Sequence, residues 1–196
     1  MIPDNLRDYY KLHAKIYDIS RWAFLFGRNS ASSYFPELPQ HTSILDFGCG
    51  TGLQLQALKK KYPDAEITGI DQSSDMLNIA RKKVPDVAIR NEVYSSESFA
   101  NDSFDLIVAS YSLSMVDDLD SILITFKKHL KPNGSVLVID FDSTPFRWFN
   151  HWMDINHVHF DDQLFNCLEQ SFQVNTKVTK QAYFGLYAYS LFVGQN

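Results

Sequence analysis

The sequence predicts an α/β domain in which a parallel sheet is flanked by crossover helices and finished by an antiparallel pair of strands. Three observations predict it. Strand-like and helix-like segments alternate with short connections over residues 42–141, the rhythm of β-α-β units whose helices return the chain for a parallel partner. A glycine-rich turn, "GCGTG", separates the first strand from the first helix. Near the C-terminus, two β-rich runs meet around Gly185 with too little chain between them for a crossover, so they must pair antiparallel.

Each element has its own signal. Residues 8–28 read as an amphipathic helix: Tyr9, Leu12, Ile16, Ile19, Ala23 and Phe26 recur at three- and four-residue steps, while Lys11, Lys15 and Asp18 fall on another side and Tyr10, His13 and Tyr17 on a neighbouring face. "TSILDF" is the first strand. Leu55, Leu58 and Tyr62 then repeat at helical spacing over Leu53 to Lys61, before Pro63. "EITGI" is the second strand, and Ser73 or Ser74 caps a helix that presents Met76, Leu77 and Ala80 and stops before Pro85.

"VAIRN" makes a short third strand and "FDLIVAS" the fourth. In "DDLDSILITFKKHLKPNG", Leu119, Ile122, Leu123, Phe126 and Leu130 mark a helix with its acids first and its lysines last, as the helix dipole prefers. Pro132, Asn133 and Gly134 end it, and His129 is expected on a solvated helix end among lysines. "SVLVIDF" is the fifth strand, residues 143–172 are helical, and "FQVNTKVTKQAYFGLYAYSLFVG" supplies the terminal antiparallel pair.

Composition bounds what such a domain does. With 196 residues and 45% hydrophobic content, the chain buries one core. The expected organisation is a helical lid over residues 1–30 and a single domain over 31–196. No apolar run approaches the roughly 20 residues of a membrane span, and "MIPDNLRD" lacks a signal peptide's apolar region, so a cytoplasmic protein is expected. A net charge of −5 argues against nucleic acid as a partner for the whole surface. The charge is uneven: Arg7, Lys11, Lys15, Arg21 and Arg28 outweigh Asp4, Asp8 and Asp18 in residues 1–30, leaving −7 for the rest. Cys49 and Cys167 have no metal-ligand spacing and are expected as reduced thiols, with no metal site.

The chemistry is carried by the first turn. Gly48, Gly50 and Gly52 let backbone amides approach a ligand while the chain turns into a helix, and Asp71 closes the second strand beside them. An acid at that place can accept hydrogen bonds from both hydroxyls of a ribose. A nicotinamide-binding turn usually reads G-x-G-x-x-G, whereas this one reads G-x-G-x-G after an acid, Asp46.

"LDFGCGTG", "GIDQSSDMLNIARKK" and "NDSFDLIVAS" together resemble the Rossmann-like class I S-adenosylmethionine-dependent methyltransferases. The resemblance implies that Asp46, Gly48, Cys49, Gly50 and Gly52 hold the methionine portion of S-adenosylmethionine. It places Asp71 on the ribose and Gln72 and Met76 beside the adenine, with Ser110 completing the set. The acid and small residue that the family often carries after the third strand are replaced by Val93 and Tyr94, so Glu92 and Val93 stand at the adenine edge.

The acceptor is expected above the fourth and fifth strands, where "ASYSLSMV" and "IDFDSTPFRWF" emerge, near Tyr111, Ser114, Asp140 and Trp148. "YYKLHAKIYDISRWAFLFGR", "ASYSLSMV" and "VIDFD…RWF…HV" are similar to the small bacterial phospholipid and betaine-lipid N-methyltransferases. That similarity implies a lipid amine acceptor, peripheral membrane contact through the opening helix, and acceptor binding by Tyr10, His13, Ser114, Asp140 and Trp148. Tyr17, Tyr111 and His157 are then the candidate catalytic groups. Related quinone C-methyltransferases share the "YD" pair seen at Tyr17 and Asp18. Two alternatives stay open: a methyltransferase for a soluble small molecule or a quinone carbon, and a cofactor-binding sensor without transferase activity.

Overall fold

Leu106, Ile107, Val108 and Ala109 are all fully buried, as are Val136, Leu137, Val138 and Ile139. Apolar side chains at consecutive strand positions point to opposite faces, so both faces of the sheet are covered. The computed structural model describes residues 25, 27, 31–155, 158, 160 and 163–196. The expected lid, apart from Leu25 and Gly27, lies outside these residues, as do Tyr10, His13, Tyr17 and His157.

In chain order the described residues form β1 (Ser43–Phe47), α1 (Leu53–Lys61), β2 (Glu66–Asp71), α2 (Ser74–Lys83), β3 (Ala88–Asn91), β4 (Phe104–Ser110), α3 (Leu119–His129), β5 (Leu130–Ser143), α4 (Arg147–Ile155), α5 (Gln163–Ser171), β6 (Gln173–Ala182) and β7 (Tyr187–Gln195). Seven strands make one sheet in the order β3-β2-β1-β4-β5-β7-β6. The pairs from β3 through β5 are parallel, and β7 is antiparallel to both β5 and β6. The expected α/β class with a terminal antiparallel pair is therefore the observed one.

Two cores sandwich the sheet. Ile44, Val108 and Ile139 pack on one face with Leu55 and Leu58 of α1 and Leu77 of α2. Leu45, Ile107 and Val138 pack on the other with Leu123 and Phe126 of α3 and Leu164 and Leu168 of α5. Ser73 caps α2, its hydroxyl accepting the Met76 N–H at 3.5 Å. Asp118 caps α3, accepting from the Ser121 N–H at 3.1 Å and its hydroxyl at 2.6 Å. No helix among the described residues is long and apolar enough to cross a membrane.

Two local expectations are corrected. α3 ends at His129 rather than at Pro132, because the next residue, Leu130, is fully buried and already pairs with Phe104 in the sheet. Ladder pairing resumes at Ser135 opposite Leu106, so residues 131–134 bulge out, with Asn133 in the left-handed region at φ 64°. His129 is likewise not solvated: it is 0% exposed, covered by the segment that follows β3.

Candidate cofactor and acceptor site

The chain runs outward from β1 through β2 to β3, then crosses back to place β4 on the other side of β1. The two connections leave in opposite directions, opening a crevice above the carboxyl ends of β1 and β4. The turn after β1 occupies it. Gly48, Gly50 and Gly52 adopt φ of 65°, 51° and 78°, values that residues with a Cβ adopt only with strain. The turn is tied down by Cys49 N–H donating to Ile70 O at 3.1 Å and by Gly52 N–H donating to Cys49 O at 2.9 Å.

Asp71 braces the same turn. One carboxylate oxygen accepts the Gly50 N–H at 2.9 Å and the other accepts the Ser73 N–H at 2.8 Å. A carboxylate oxygen has two lone pairs, so each still has one for a ligand hydroxyl. Asn91, at the end of β3, donates its amide hydrogens to the carbonyls of Asp71 (3.1 Å) and Gln72 (3.0 Å), fixing the backbone past β2. Its role was not foreseen in the sequence, although an Asn closing the strand next to the acid is the signal. Met76 lies close by, its sulfur 3.6 Å from where a Cβ on Gly50 would stand.

The local field is negative. Asp46 is buried on β1 at 1% exposure. Burial first, and then the charges of Asp46 and Asp71, push the Cys49 thiol far above its usual range. It is a neutral thiol wedged against Gly69, where a Cβ would meet its sulfur at 2.9 Å. A tight glycine turn, two nearby carboxylates and a spare lone pair on each Asp71 oxygen fit a ligand that is cationic at sulfur and hydroxylated at a ribose. S-Adenosylmethionine is such a ligand, and these residues fit it.

β3 ends beside β2, with Asn91 opposite Asp71, which brings Glu92 and Val93 to the same edge. Glu92 pairs with Arg90 at 2.9 Å, and Val93 is exposed. Across the crevice, Ser110 ends β4 and is buried. Tyr111 follows at φ 54°, its N–H donating to Ile139 O at 2.7 Å and its ring packed edge-on against Phe141 at 4.7 Å. Ser112, also unforeseen, donates its hydroxyl to Phe47 O at 3.0 Å and ties the two sides of the crevice together.

Asp140 is fully buried and braces the loop after β4. One oxygen accepts the N–H groups of Leu113 (2.9 Å) and Ser114 (3.1 Å), and the other accepts that of Phe141 (2.9 Å). Burial raises its pKa above the usual carboxylate range despite these bonds. Trp148 stands apart on the outer side of α4, 64% exposed. It belongs to a continuous aromatic edge. Phe149 contacts Trp148 at 5.6 Å, stacks on Trp152 at 5.8 Å and stacks on Tyr187 at 6.0 Å. Tyr187 in turn touches Phe141 at 5.4 Å and Tyr183 at 6.3 Å. Phe184, at the tip between β6 and β7, is fully exposed with φ 56°.

Comparison with known proteins identifies a family and a fold. The family described as a methyltransferase domain matches residues 19–172. A malonyl-[acyl-carrier protein] O-methyltransferase of Priestia megaterium is 31% identical over 148 residues, covering 72% of this chain and 53% of that protein. A demethylmenaquinone methyltransferase of Chlorobaculum parvum is 37% identical over 97 residues, covering 50% and 40%. The chain thus spans about half the length of the curated relatives it matches. In fold it is similar to the phosphoethanolamine N-methyltransferase 2 of Haemonchus contortus solved with S-adenosyl-L-methionine, at a TM-score of 0.70 and 15% identity over 86% of this chain and 52% of that one. The chain belongs to the methyltransferase-domain family, the class I group that uses S-adenosylmethionine.

Proposed function

We propose that this protein transfers a methyl group from S-adenosylmethionine to a lipid amine presented at a membrane surface. When bound, the cofactor supplies an electrophilic methyl group on a sulfonium. What the chain's own residues have to supply is alignment of the acceptor and exclusion of water. Asp46 and residues 48–52 take the methionine portion, Asp71 the ribose, and Gln72, Met76, Glu92 and Val93 the adenine side. Ser110 completes the cofactor set, while Tyr111 and Ser114 line the acceptor side, their loop held by Asp140.

The observation that carries the lipid reading is the aromatic edge. Rings from Tyr111 and Phe141 beside the crevice run through Tyr187 and Phe149 to exposed Trp148, Trp152 and Tyr183, with exposed Phe184 next to Tyr183 in the chain. Aromatic side chains prefer the interface between water and lipid, so this edge suits an acceptor whose tail stays in a bilayer. The expected lid over residues 1–30, with Tyr10, His13 and Tyr17, would add basic and apolar attraction for an anionic bilayer. A quinone carbon is the second reading, favoured by the demethylmenaquinone methyltransferase among the relatives.

The test is an incubation with methyl-labelled S-adenosylmethionine and vesicles of phosphatidylethanolamine and phosphatidylglycerol, with and without demethylmenaquinone. Label in methylated amine lipid supports the proposal. Label only in the quinone transfers the reading to the second acceptor. Label confined to water-soluble product overturns the lipid reading, and cofactor binding without any turnover favours a sensor.

A further inference from the structure

Residues 92–103 form neither helix nor strand, yet they begin with Glu92 and Val93 at the edge of the crevice. A histidine ties this segment to the body of the fold. His129, the last residue of α3, is fully buried. Its Nδ1 lies 2.7 Å from the hydroxyl of buried Tyr94, and its Nε2 lies 3.3 Å from the carbonyl oxygen of Ser96. A carbonyl only accepts, so Nε2 carries the ring proton and Nδ1 is left to accept the Tyr94 O–H. Burial pushes the Tyr94 phenol far above its usual range, which keeps it a donor.

The surroundings reinforce the tie. Phe99 packs against both rings, at 6.3 Å from Tyr94 and 5.8 Å from His129. The charged groups around the cluster are Lys128 on α3, which donates to Ser96 O at 2.9 Å, and the Arg90–Glu92 pair of β3 and its exit. Arg90 lies 4.4 Å over the Phe99 ring and donates to Ser98 O at 2.5 Å.

We propose that His129 is a positioning residue for the cofactor: its neutral Nε2–H tautomer latches residues 94–96 to α3, holds Glu92 and Val93 in place, and releases them when Nδ1 takes a proton. The inference rests on reading Glu92 and Val93 as the adenine side. A protonated Nδ1 becomes a second donor facing the Tyr94 O–H, and the buried phenol then has to turn its hydrogen away from its partner. Burial holds the His129 pKa below the ordinary histidine range, against the raising effect of hydrogen bonds to the Ser96 and Phe99 backbone. With the latch open, the ring is solvated and protonates near the ordinary value of about 6.5. Below that pH the open state takes up protons first, so the latched state, and cofactor affinity with it, weakens as pH falls.

The experiment is calorimetric titration of the full chain with S-adenosylhomocysteine at pH 7.5 and 5.5. Native protein, Tyr94→Phe and His129→Gln are compared, each checked for native circular dichroism. Native affinity is expected to fall between the two pH values, by at most about tenfold for an open-state value near 6.5. His129→Gln, whose amide still donates towards Ser96 but does not titrate, is expected to stay within about threefold of native at pH 7.5 and to lose the pH dependence. Tyr94→Phe is expected to bind more weakly than native at pH 7.5, with a flattened response. Equal native affinity at both pH values, or an unchanged slope in His129→Gln, overturns the latch alone. No binding by native protein at either pH overturns the cofactor reading and the latch together. If Tyr94→Phe does not fold, the His129→Gln slope decides.

Discussion

A Cβ built on Gly48 would stand 2.5 Å from the Cβ of Ser112, whereas one on Gly50 meets nothing nearer than the Met76 sulfur at 3.6 Å. The first glycine is required by packing across the crevice, the second by backbone conformation and by whatever occupies the space above it. Gly48→Ala is therefore expected to destabilise the fold by about 3 kcal/mol, combining overpacking with left-handed strain. Gly50→Ala should cost about 1 kcal/mol of stability, measured by urea unfolding, while lowering cofactor affinity more than that strain explains. Asp71→Ala removes the acceptor of two backbone N–H groups as well as the proposed ribose partner, and affinity for S-adenosylhomocysteine should drop by about a hundredfold. Unchanged affinity would put the ribose elsewhere. The glycine turn and the place of Asp71 beside it were legible because they rest on spacing and on position at a strand end. His129 was not: "FKKHLKP" looks like a solvated helix end, and only the packing of residues 94–99 over it makes it a buried anchor. Asp140 was legible as a residue at the carboxyl end of a strand, but two of its three backbone partners, Leu113 and Ser114, come from folding of the loop after β4.

At the scale of elements, periodicity carried most of the information. Helices α1, α2 and α3 begin within a residue or so of their expected starts because Gly52, Ser73 and Asp118 are start signals written in the chain. The bulge over residues 131–134 was illegible, since a Pro-Asn-Gly run also ends helices, and only the burial of Leu130 puts the strand start ahead of it. The Asp118 cap makes a separable prediction. Its hydrogen bonds with the Ser121 hydroxyl and N–H hold the carboxyl below its usual range. A depressed carboxyl contributes stability above the unfolded pKa, and the contribution disappears as pH falls through the folded value. Asp118→Ala should lower the thermal midpoint at pH 7 and leave it near that of the native protein at pH 2. Equal differences at both values would show that the cap acts without its charge.

For the molecule as a whole, fold class and cofactor chemistry were readable because they depend on a few short motifs in sequence order. The proposed acceptor was less so, because the aromatic rings that support it come from α4, the β6–β7 turn and the ends of β4 and β5, which are far apart in the chain. Replacing Trp148 and Phe184 together by Ser removes two exposed rings, of which Trp148 touches the core only edge-on at Phe149. The double variant should keep its thermal midpoint and cosediment less with phosphatidylglycerol-containing vesicles. Undiminished cosedimentation would take the aromatic edge out of the membrane reading. The place of β7 has a further outcome. It lies between β5 and β6, and β6 pairs only with β7 among the described strands. As a ribosome extrudes the chain, β1 to β5 can pair in turn, but β6 emerges with no neighbour to receive it and β5 keeps an open edge until residues 187–195 follow. A chain released at residue 185 would thus display the open edge of β5 and an unpaired β6 at once, making it a substrate for chaperones, while ten more residues would let β7 pair with both.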